Sequence, residues 1–176
     1  MSNLADYLKE RGFLKNSLLY DAFSRVDRKD FVPEDYKDYA YEDTPLPIGY
    51  DQTISQPQVV AFMLDLLDLR EDHHVLDIGF GSGWATALLA ETVKKGKVIG
   101  IEKNPDVYKK GVGNLEKYNY FKKERVEVFL GDGRGGCSEK APFDRVLVSA
   151  ADTGFEFPEK IKPQLKNEGK GKTAQP

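Results

Sequence analysis

Acidic residues and glycines stand together at three points of this chain, each directly after a short apolar run. The first point is Asp77-Ile78-Gly79-Phe80-Gly81-Ser82-Gly83, the second is Glu102-Lys103, and the third is Gly131-Asp132-Gly133. Glycines let a backbone turn tightly and come close to a ligand. A carboxylate at the end of a strand can accept hydrogen bonds from the hydroxyl groups of a ribose. These residue types therefore indicate the binding of a molecule that contains a nucleoside.

Two of these acids allow specific assignments. Glu102 ends an apolar run 23 residues after Gly79 (102 minus 79), where its carboxylate can accept both ribose hydroxyls. Asp132 lies between two glycines, from where it can reach an adenine amino group. The ordinary alternatives are a surface acid at a strand end for Glu102 and an Asp-Gly turn for Asp132. We favour the binding roles, because all three points would lie at the same edge of a parallel sheet.

Strands and helices alternate around the three points. Apolar runs predict strands over 75–78, 97–102, 125–130 and 145–150, and helical periodicity predicts helices over 85–93 and 106–118. Alternation of this kind gives right-handed crossovers between parallel strands. The predicted fold class is therefore α/β, with a parallel sheet that carries helices on both faces.

The residues before Pro57 have a different character and predict an N-terminal helical extension. Short helices are expected over 3–11 and 18–26, the second beginning near Asn16 or Ser17. Residues 28–41 are predicted to be packed and mostly irregular, and residues 49–57 to be a polar loop. Pro57 suits the first turn of the helix that follows this loop.

Composition limits the class of protein. The chain has 176 residues and a formal net charge of -3, which suits one domain and argues against a nucleic-acid partner. The single Cys137 cannot form an internal disulfide, which fits a reducing compartment. The first residues do not read as a signal peptide, and no apolar run approaches membrane-spanning length. We therefore expect a cytoplasmic protein without membrane contact, and we expect no metal site.

The segment from Asp77 to Gly83 is similar to motif I of S-adenosylmethionine-dependent methyltransferases. Further segments resemble the protein-L-isoaspartate O-methyltransferase family, and these are Phe31-Val32-Pro33, Tyr41-Glu42-Asp43, Pro45 to Tyr50, Gln52-Thr53-Ile54-Ser55-Gln56-Pro57, Gly131 to Gly133, Ala141 to Asp144 and Pro163 to Lys166. Among methyltransferases the Thr-Ile-Ser-Gln-Pro segment is specific to this family. The resemblance covers residues 19–166, and it departs from the family pattern at Asp51 and Trp84.

The resemblance implies a Rossmann-like methyltransferase fold in a single domain over 1–166. Residues 1–56 would cover the substrate and the cofactor, residues 57–166 would bind the cofactor, and 167–176 would be disordered. The implied reaction is methyl transfer from S-adenosylmethionine, which becomes S-adenosylhomocysteine, to the α-carboxyl of isoaspartyl residues in damaged proteins. By the same resemblance, Ser55 is the active-site hydroxyl, and the residues that help to cover the cofactor are Gln52, Thr53 and Ile54.

This chemistry does not need a general base. An α-carboxyl group has a pKa of about 3.3–3.7 and is therefore ionised at neutral pH. Catalysis would rest on in-line positioning and desolvation, with the Ser55 hydroxyl donating a hydrogen bond that orients the carboxylate. Ser55 can alternatively be the N-cap of the helix that starts at Pro57, and the two roles are compatible.

Other functions stay open at this point. The Gly-x-Gly-x-Gly spacing disfavours a dehydrogenase, whose motif is Gly-x-Gly-x-x-Gly. A methyltransferase of the same fold that acts on a small molecule or on RNA is one alternative. A non-catalytic or impaired homologue that only binds the cofactor is another.

The C-terminal part differs from the resembled family. In that family a helix ending Gln-Leu-Lys leads into a glycine turn, a fifth strand and an antiparallel hairpin, and none of them follows Lys166 here. The final strands of the family fold are thus missing, as in a truncated form, a frameshifted product or a fragment. We expect one more helix over 157–165 and four parallel strands in the order three, two, one, four. The uncovered edge of strand four, residues 145–150, would invite self-association.

Overall fold

A computed structural model describes residues 4–149 and 159–166 of the chain. Its helices are α1 (Leu4–Glu10), α2 (Ser17–Arg25), α3 (Pro57–Leu66), α4 (Trp84–Thr92) and α5 (Pro105–Glu116). Its strands are β1 (Leu46–Gly49), β2 (Gln52–Ile54), β3 (His74–Ile78), β4 (Lys97–Glu102), β5 (Val126–Leu130) and β6 (Arg145–Val148). Short 3₁₀ helices lie at Arg28–Phe31, Glu34–Tyr39, Gly133–Gly135, Ser138–Lys140 and Lys162–Gln164.

Four strands form a parallel sheet in the order β5-β4-β3-β6, which confirms the predicted order three, two, one, four. Val75 of β3 pairs with Val98 on one side and with Arg145 on the other. Because the strands are parallel, the carboxyl ends of β3, β4 and β5 meet at one edge of the sheet. The α/β class is therefore confirmed, and the three acidic points of the sequence lie at this edge.

The two faces of the sheet bury two separate apolar clusters, because successive strand residues point to opposite sides. The larger cluster contains Val75, Val98 and Leu147 together with residues of all five α-helices. The smaller one contains Leu76, Ile99 and Val146. Among the described residues, Phe143 and Ile161 also belong to the smaller cluster, and Cys137, Ala141 and Leu165 pack against it.

The N-terminal helical extension packs onto the larger cluster. Asn16 is the N-cap of α2, and its side-chain oxygen accepts a hydrogen bond from the Leu18 amide at 2.9 Å. Phe23 of α2 meets Trp84 of α4 edge to face, with ring centroids 5.7 Å apart. These contacts fix α2 against the helix that follows the glycine segment.

Two N-terminal segments differ from the prediction. Residues 28–41 are more regular than expected, because they contain two 3₁₀ helices. Residues 49–57 are not simply a loop, since β1 and β2 pair as an antiparallel hairpin. Its turn residues Tyr50 and Asp51 have φ angles of 57° and 55°. Turns of this backbone class are usually marked by Asn or Gly, so the sequence carries no clear signal for the hairpin.

The C-terminal part also differs from the prediction. The helix expected over 157–165 is wrong where the structure describes it, because residues 159–166 contain only the 3₁₀ helix Lys162–Gln164. Leu165 instead forms a parallel bridge with Phe143, and the Lys166 amide donates to the Phe143 carbonyl at 2.9 Å. Strand β6 ends at Val148, while the predicted end at Ala150 and the predicted disordered tail lie outside the described residues.

No helix in the described ranges has both the length and the apolar character that crossing a membrane requires.

Candidate functional site

The turn between β3 and α4 has backbone geometry that favours glycine. Gly79, Gly81 and Gly83 have φ angles of 80°, 56° and 87°, all in the left-handed region. The Gly79 amide donates to the Ile101 carbonyl at 2.7 Å, which ties the turn to β4. A Cβ on Gly83 would lie 2.9 Å from Cγ of Leu115 in α5. The predicted glycine turn is therefore present, and it is held between a strand and a helix.

Asp77 lies fully buried beneath this turn. Its Oδ2 accepts a hydrogen bond from Oγ1 of Thr86 at 2.7 Å, and its Oδ1 accepts one from Oγ of Ser149 at 3.4 Å. Burial raises the pKa of Asp77 to about 6, and the two hydrogen bonds oppose this rise. The carboxylate thus joins α4 to the end of β6, beneath the surface that a ligand would contact.

Glu102 reaches from the end of β4 back to the glycine turn. Its Oε2 accepts a hydrogen bond from the Gly81 amide at 3.1 Å, and its Oε1 accepts one from the Asn104 amide at 2.9 Å. The backbone carbonyl of Glu102 also accepts a hydrogen bond from the Gly131 amide at 2.9 Å. A single residue therefore connects all three acidic points.

Asp132 begins a 3₁₀ helix beyond β5, and its carboxylate pairs with Arg134. The closest approach is 2.5 Å between Oδ2 and the Arg134 guanidinium, which lowers the pKa of Asp132 to about 2. The charge of Lys103, which is exposed, adds to this lowering. Gly133 is buried, and a Cβ there would clash with Cγ2 of Ile78. Asp132 thus presents an ionised carboxylate beside the ends of β3 and β4.

A cleft lies next to the glycine turn. The predicted site residues that line it are Thr53, Ile54, Ser55, Gly79, Gly81 and Ser82. The turn itself also contributes Phe80, and other elements contribute Met63, Trp84 and Ser149. The remaining predicted site residues lie outside its lining, and they are Gln52, Asp77, Gly83, Glu102, Lys103, Asp132 and Gly133. Tertiary folding therefore brings the hairpin strand β2 and the glycine turn to one cleft.

Ser55 lines the cleft and does not cap α3. The N-cap residue of α3 is Gln56, which makes no side-chain capping bond, so the alternative assignment of Ser55 is wrong. The first turn of α3 is instead capped from a distance, because the Gln58 amide donates to Oδ1 of Asp43 at 2.9 Å. The role of orienting a substrate carboxylate remains available to the Ser55 hydroxyl.

Arg28 holds the segment that carries Ser55. It is only 1% exposed, and its guanidinium donates to four backbone carbonyls at 2.9–3.1 Å, those of Ala40, Glu42, Thr44 and Ser55. The guanidinium carbon lies 5.2 Å from the centre of the Trp84 ring. Burial lowers the pKa of Arg28 to about 10, so the side chain is still charged at neutral pH.

The sequence prediction did not assign a role to Arg28, Asp43 or Ser149. Arg28 stands beside two other charged residues, Lys29 and Asp30, and no pattern near it in the chain indicates that this particular side chain is buried. Asp43 caps a helix that begins 14 residues later in the chain (57 minus 43). Ser149 could have been found, since it lies near the carboxyl end of the strand predicted over 145–150, at the same edge of the sheet as the acidic points.

Known proteins match this chain over nearly its whole length. The sequence pattern of the family Protein-L-isoaspartate(D-aspartate) O-methyltransferase (PCMT) matches residues 1–171. A protein-L-isoaspartate O-methyltransferase from Methanopyrus kandleri is 44% identical over 168 residues, which cover 95% of this chain and 73% of that protein. The chain belongs to the protein-L-isoaspartate O-methyltransferase family.

Solved structures of this family share the fold. One protein-L-isoaspartate O-methyltransferase superimposes with a TM-score of 0.83 at 30% identity. The match covers 94% of this chain and 52% of the other protein's chain. A Plasmodium falciparum protein described as a protein-L-isoaspartate O-methyltransferase, in complex with S-adenosyl-L-homocysteine, has a TM-score of 0.82 at 27% identity. That match covers 97% of this chain and 80% of the Plasmodium protein.

Two residues that depart from the pattern of protein-L-isoaspartate O-methyltransferases have clear structural settings. Asp51 occupies the second left-handed position of the β1–β2 turn, a conformation that Asp adopts more readily than most residues. Trp84 is buried at the first position of α4, between Phe23 and the guanidinium of Arg28. Both departures are therefore compatible with the family fold.

Proposed function

We propose that this chain binds S-adenosylmethionine and transfers its methyl group to the α-carboxyl of isoaspartyl residues in damaged proteins. The observation that carries the proposal is the cleft that Thr53, Ile54 and Ser55 share with the glycine turn. The segment that contains Thr53, Ile54 and Ser55 resembles this family specifically, whereas the glycine turn is typical of methyltransferases in general. Membership of the family supports the same reaction.

The residues around the cleft fit a cofactor that contains a nucleoside. The Glu102 carboxylate lies at the glycine turn, where ribose hydroxyls can replace or share its backbone donors. Asp132 offers an ionised acceptor for an adenine amino group. A Cβ on Gly81 would meet one atom within 4 Å, the Gly79 carbonyl oxygen at 3.9 Å, so the backbone of the turn is open to close approach. Asp77 acts beneath the turn as a positioning residue.

S-adenosylmethionine supplies an electrophilic methyl group on a positively charged sulfur. The substrate carboxylate is already ionised at neutral pH, so the protein's task is to orient it and to exclude water. Ser55 donates a hydrogen bond to the carboxylate. Apolar side chains such as Met63 and Trp84 make the cleft wall, and a wall of this kind strengthens the electrostatic interactions inside it.

Methyl transfer to an isoaspartyl peptide, measured beside the same peptide with an ordinary aspartyl residue, tests this function. We expect labelling of the isoaspartyl peptide alone, and a Ser55→Ala variant should lower the rate by about two- to tenfold through the loss of one hydrogen bond. Ser138→Ala, which changes an exposed serine outside the cleft lining, is the matched control. Equal labelling of both peptides, or labelling of RNA instead, rejects the substrate. Cofactor binding without any transfer favours the non-catalytic alternative.

We also propose a division of roles within one domain over 1–166, with 1–56 covering substrate and cofactor and 57–166 binding the cofactor. The β1–β2 hairpin supports the first role, because β2 contributes lining to the cleft. The ends of β3, β4 and β5 support the second, because they carry the glycine turn, Glu102 and Asp132. We also assign Gln52, Lys103 and Gly133 to the cofactor site.

Two further proposals concern the surroundings of the protein. We propose a cytoplasmic location, which the single Cys137 supports because it cannot form an internal disulfide. We also propose self-association through the outer edge of β6, which is the last strand of the sheet in the described residues. Cell fractionation tests the proposed location, and light scattering tests the self-association.

A further inference from the structure

The sequence contains one Asp-Gly pair, Asp132-Gly133, and no Asn-Gly pair. Such pairs rearrange more readily than others, because glycine has no side chain to hinder the reaction of its amide nitrogen. The side chain of Asp132 is 41% exposed, so water can reach it. The chain therefore carries one site with the composition that favours spontaneous isoaspartate formation, and it lies in the proposed cofactor site.

We propose that Asp132-Gly133 is a latent site of isoaspartate formation, and that Arg134 and the 3₁₀ helix at Gly133–Gly135 hold it unreactive. The reaction needs no enzyme, so this inference does not depend on the proposed function. The Gly133 nitrogen attacks Cγ of Asp132, an N–C bond forms, and one water leaves with a carboxyl oxygen. Water then adds to the resulting succinimide, and opening at either carbonyl gives aspartate or isoaspartate.

The backbone of Asp132 opposes ring closure. In an L residue, closure requires Cβ to eclipse the next amide nitrogen, and this arrangement occurs only at negative ψ. Asp132 has ψ of 109°. Gly133 is buried against Ile78, and the Gly136 amide donates to the Gly133 carbonyl at 2.9 Å. The attacking nitrogen and the carboxyl carbon are therefore held apart by the turn that follows β5.

The side chain of Asp132 is restrained as well. Nε of Arg134 donates to both carboxylate oxygens at 3.1 and 3.0 Å, a terminal nitrogen of its guanidinium donates at 2.5 Å, and its backbone amide donates to Oδ1 at 3.1 Å. Arg134 also keeps the carboxylate ionised by lowering the pKa of Asp132 to about 2. Loss of water requires the protonated carboxyl group, so the ion pair lowers the population of the reactive form.

Incubation of the full chain in oxygen-18-labelled water at neutral pH tests the proposal, because each succinimide hydrolysis leaves one heavy oxygen at residue 132. Mass spectrometry of the peptide that contains Asp132 measures the rate. Folded wild-type chain should label on the order of tenfold more slowly than the chain unfolded in urea, because the reaction requires local opening of the turn. Equal rates in the folded and unfolded chain overturn the protection.

Variants isolate the contribution of Arg134. Arg134→Met should label about two- to fivefold faster than wild type, the range that loss of an exposed ion pair allows, and Arg134→Lys should lie between them. Arg70→Met, which changes an exposed arginine elsewhere, is the matched control and should label like wild type. Equal rates in Arg134→Met and Arg70→Met overturn the role of Arg134.

A measurement on the wild-type chain covers the case in which Arg134→Met does not fold, as judged by circular dichroism. Molar sodium chloride screens an exposed ion pair, so it should accelerate labelling of the folded chain by a similar factor relative to the urea-unfolded chain in the same salt. The absence of any acceleration then overturns the role of Arg134.

Discussion

Glu102 makes two hydrogen bonds with backbone amides at the point where the ribose of the cofactor is proposed to bind. We expect Glu102→Ala to weaken the binding of S-adenosylhomocysteine by about 10- to 100-fold, because hydrogen bonds to a charged group contribute about 1.5–3 kcal/mol. Glu102→Gln keeps one acceptor oxygen, so its affinity for S-adenosylhomocysteine should lie between those of Glu102→Ala and the wild type. Isothermal calorimetry measures these affinities.

The control for this experiment is Glu116→Ala, which removes an exposed carboxylate from the last turn of α5. Its affinity for S-adenosylhomocysteine should match that of the wild-type chain. If Glu102→Ala also binds as the wild type does, the ribose assignment is wrong.

Asp77 should make stability depend on pH. Its pKa in the folded protein, about 6, is raised above the ordinary value of about 3.9, so between these values the folded state holds a proton that the unfolded chain has lost. The resulting stabilisation is fully present below the lower value and disappears as pH rises through the higher one. Relative to Asp77→Asn, wild type should lose about 1–3 kcal/mol of unfolding free energy from pH ~4 to ~7.

Urea unfolding of both proteins across this pH range measures the effect. The comparison cancels the other titrating carboxylates, including Glu71 and Glu127, whose pKa values lysine partners lower. Parallel stability curves for the two proteins would show that Asp77 does not titrate as proposed.

Arg28 should matter for both stability and catalysis. Arg28→Met leaves four backbone carbonyls without their donor, and each buried unsatisfied group costs about 1–3 kcal/mol, so we expect a loss of at least about 3 kcal/mol. Arg28→Lys keeps the charge but has only three donors on one atom, so it should lose less. Denaturant unfolding gives the stability, with exposed Arg70→Met as control.

The kinetic consequence is separate, because Arg28 bonds the Ser55 carbonyl directly. Arg28→Lys should lower kcat for the isoaspartyl peptide more than it changes affinity for S-adenosylhomocysteine. A folded Arg28→Lys enzyme with wild-type kcat would limit Arg28 to a role in stability.

At the scale of secondary structure, α5 offers two glycines for a matched test of how the glycine turn is held. A Cβ on Gly111 would lie 2.5 Å from the Gly81 carbonyl oxygen and from Cε2 of Phe80, whereas a Cβ on Gly113 would meet nothing within 4 Å. Gly111→Ala should therefore destabilise the protein by about 1–3 kcal/mol through overpacking. Gly113→Ala should stabilise it by about 0.5–1 kcal/mol, because alanine favours the helix.

Thermal unfolding of the two variants decides between packing and helix propensity. Cofactor affinity should fall in Gly111→Ala only, since that substitution displaces the glycine turn. A pair of variants with the same stability would mean that α5 does not press against the turn as the structure describes.

For the molecule as a whole, the question is how β6 is covered, because it is an edge strand of the four-stranded sheet and its residues Arg145–Val148 are nevertheless buried. Among the described residues, no strand pairs with the outer edge of β6. The bridge between Phe143 and Leu165 lies just before β6 begins. Unpaired strand edges promote association, so we expect concentration-dependent association in light scattering, with hydrogen-exchange protection of β6 that rises with concentration. A monomer at every concentration, with β6 already fully protected, contradicts the proposed self-association.

The sequence alone determined the parallel sheet, its strand order and the three acidic points at one edge. These features follow from local patterns: short apolar runs form strands such as β3 and β4, glycines permit the turn after Ile78, and alternation with helices dictates right-handed crossovers. Because parallel strands end at the same edge, the proximity of Glu102 to Gly81 could be inferred before any contact was seen.

Only the tertiary structure decided the rest, because the contacts involved join residues that are distant in the chain. Arg28 is buried because four carbonyls from residues 40–55 surround it, and no pattern near Arg28 encodes them. Asp43 replaces Ser55 as the partner of the first turn of α3. In place of the end of the helix expected over 157–165, Leu165 forms a bridge with Phe143. In each case backbone groups gained long-range hydrogen bonds, and these outweigh local propensity.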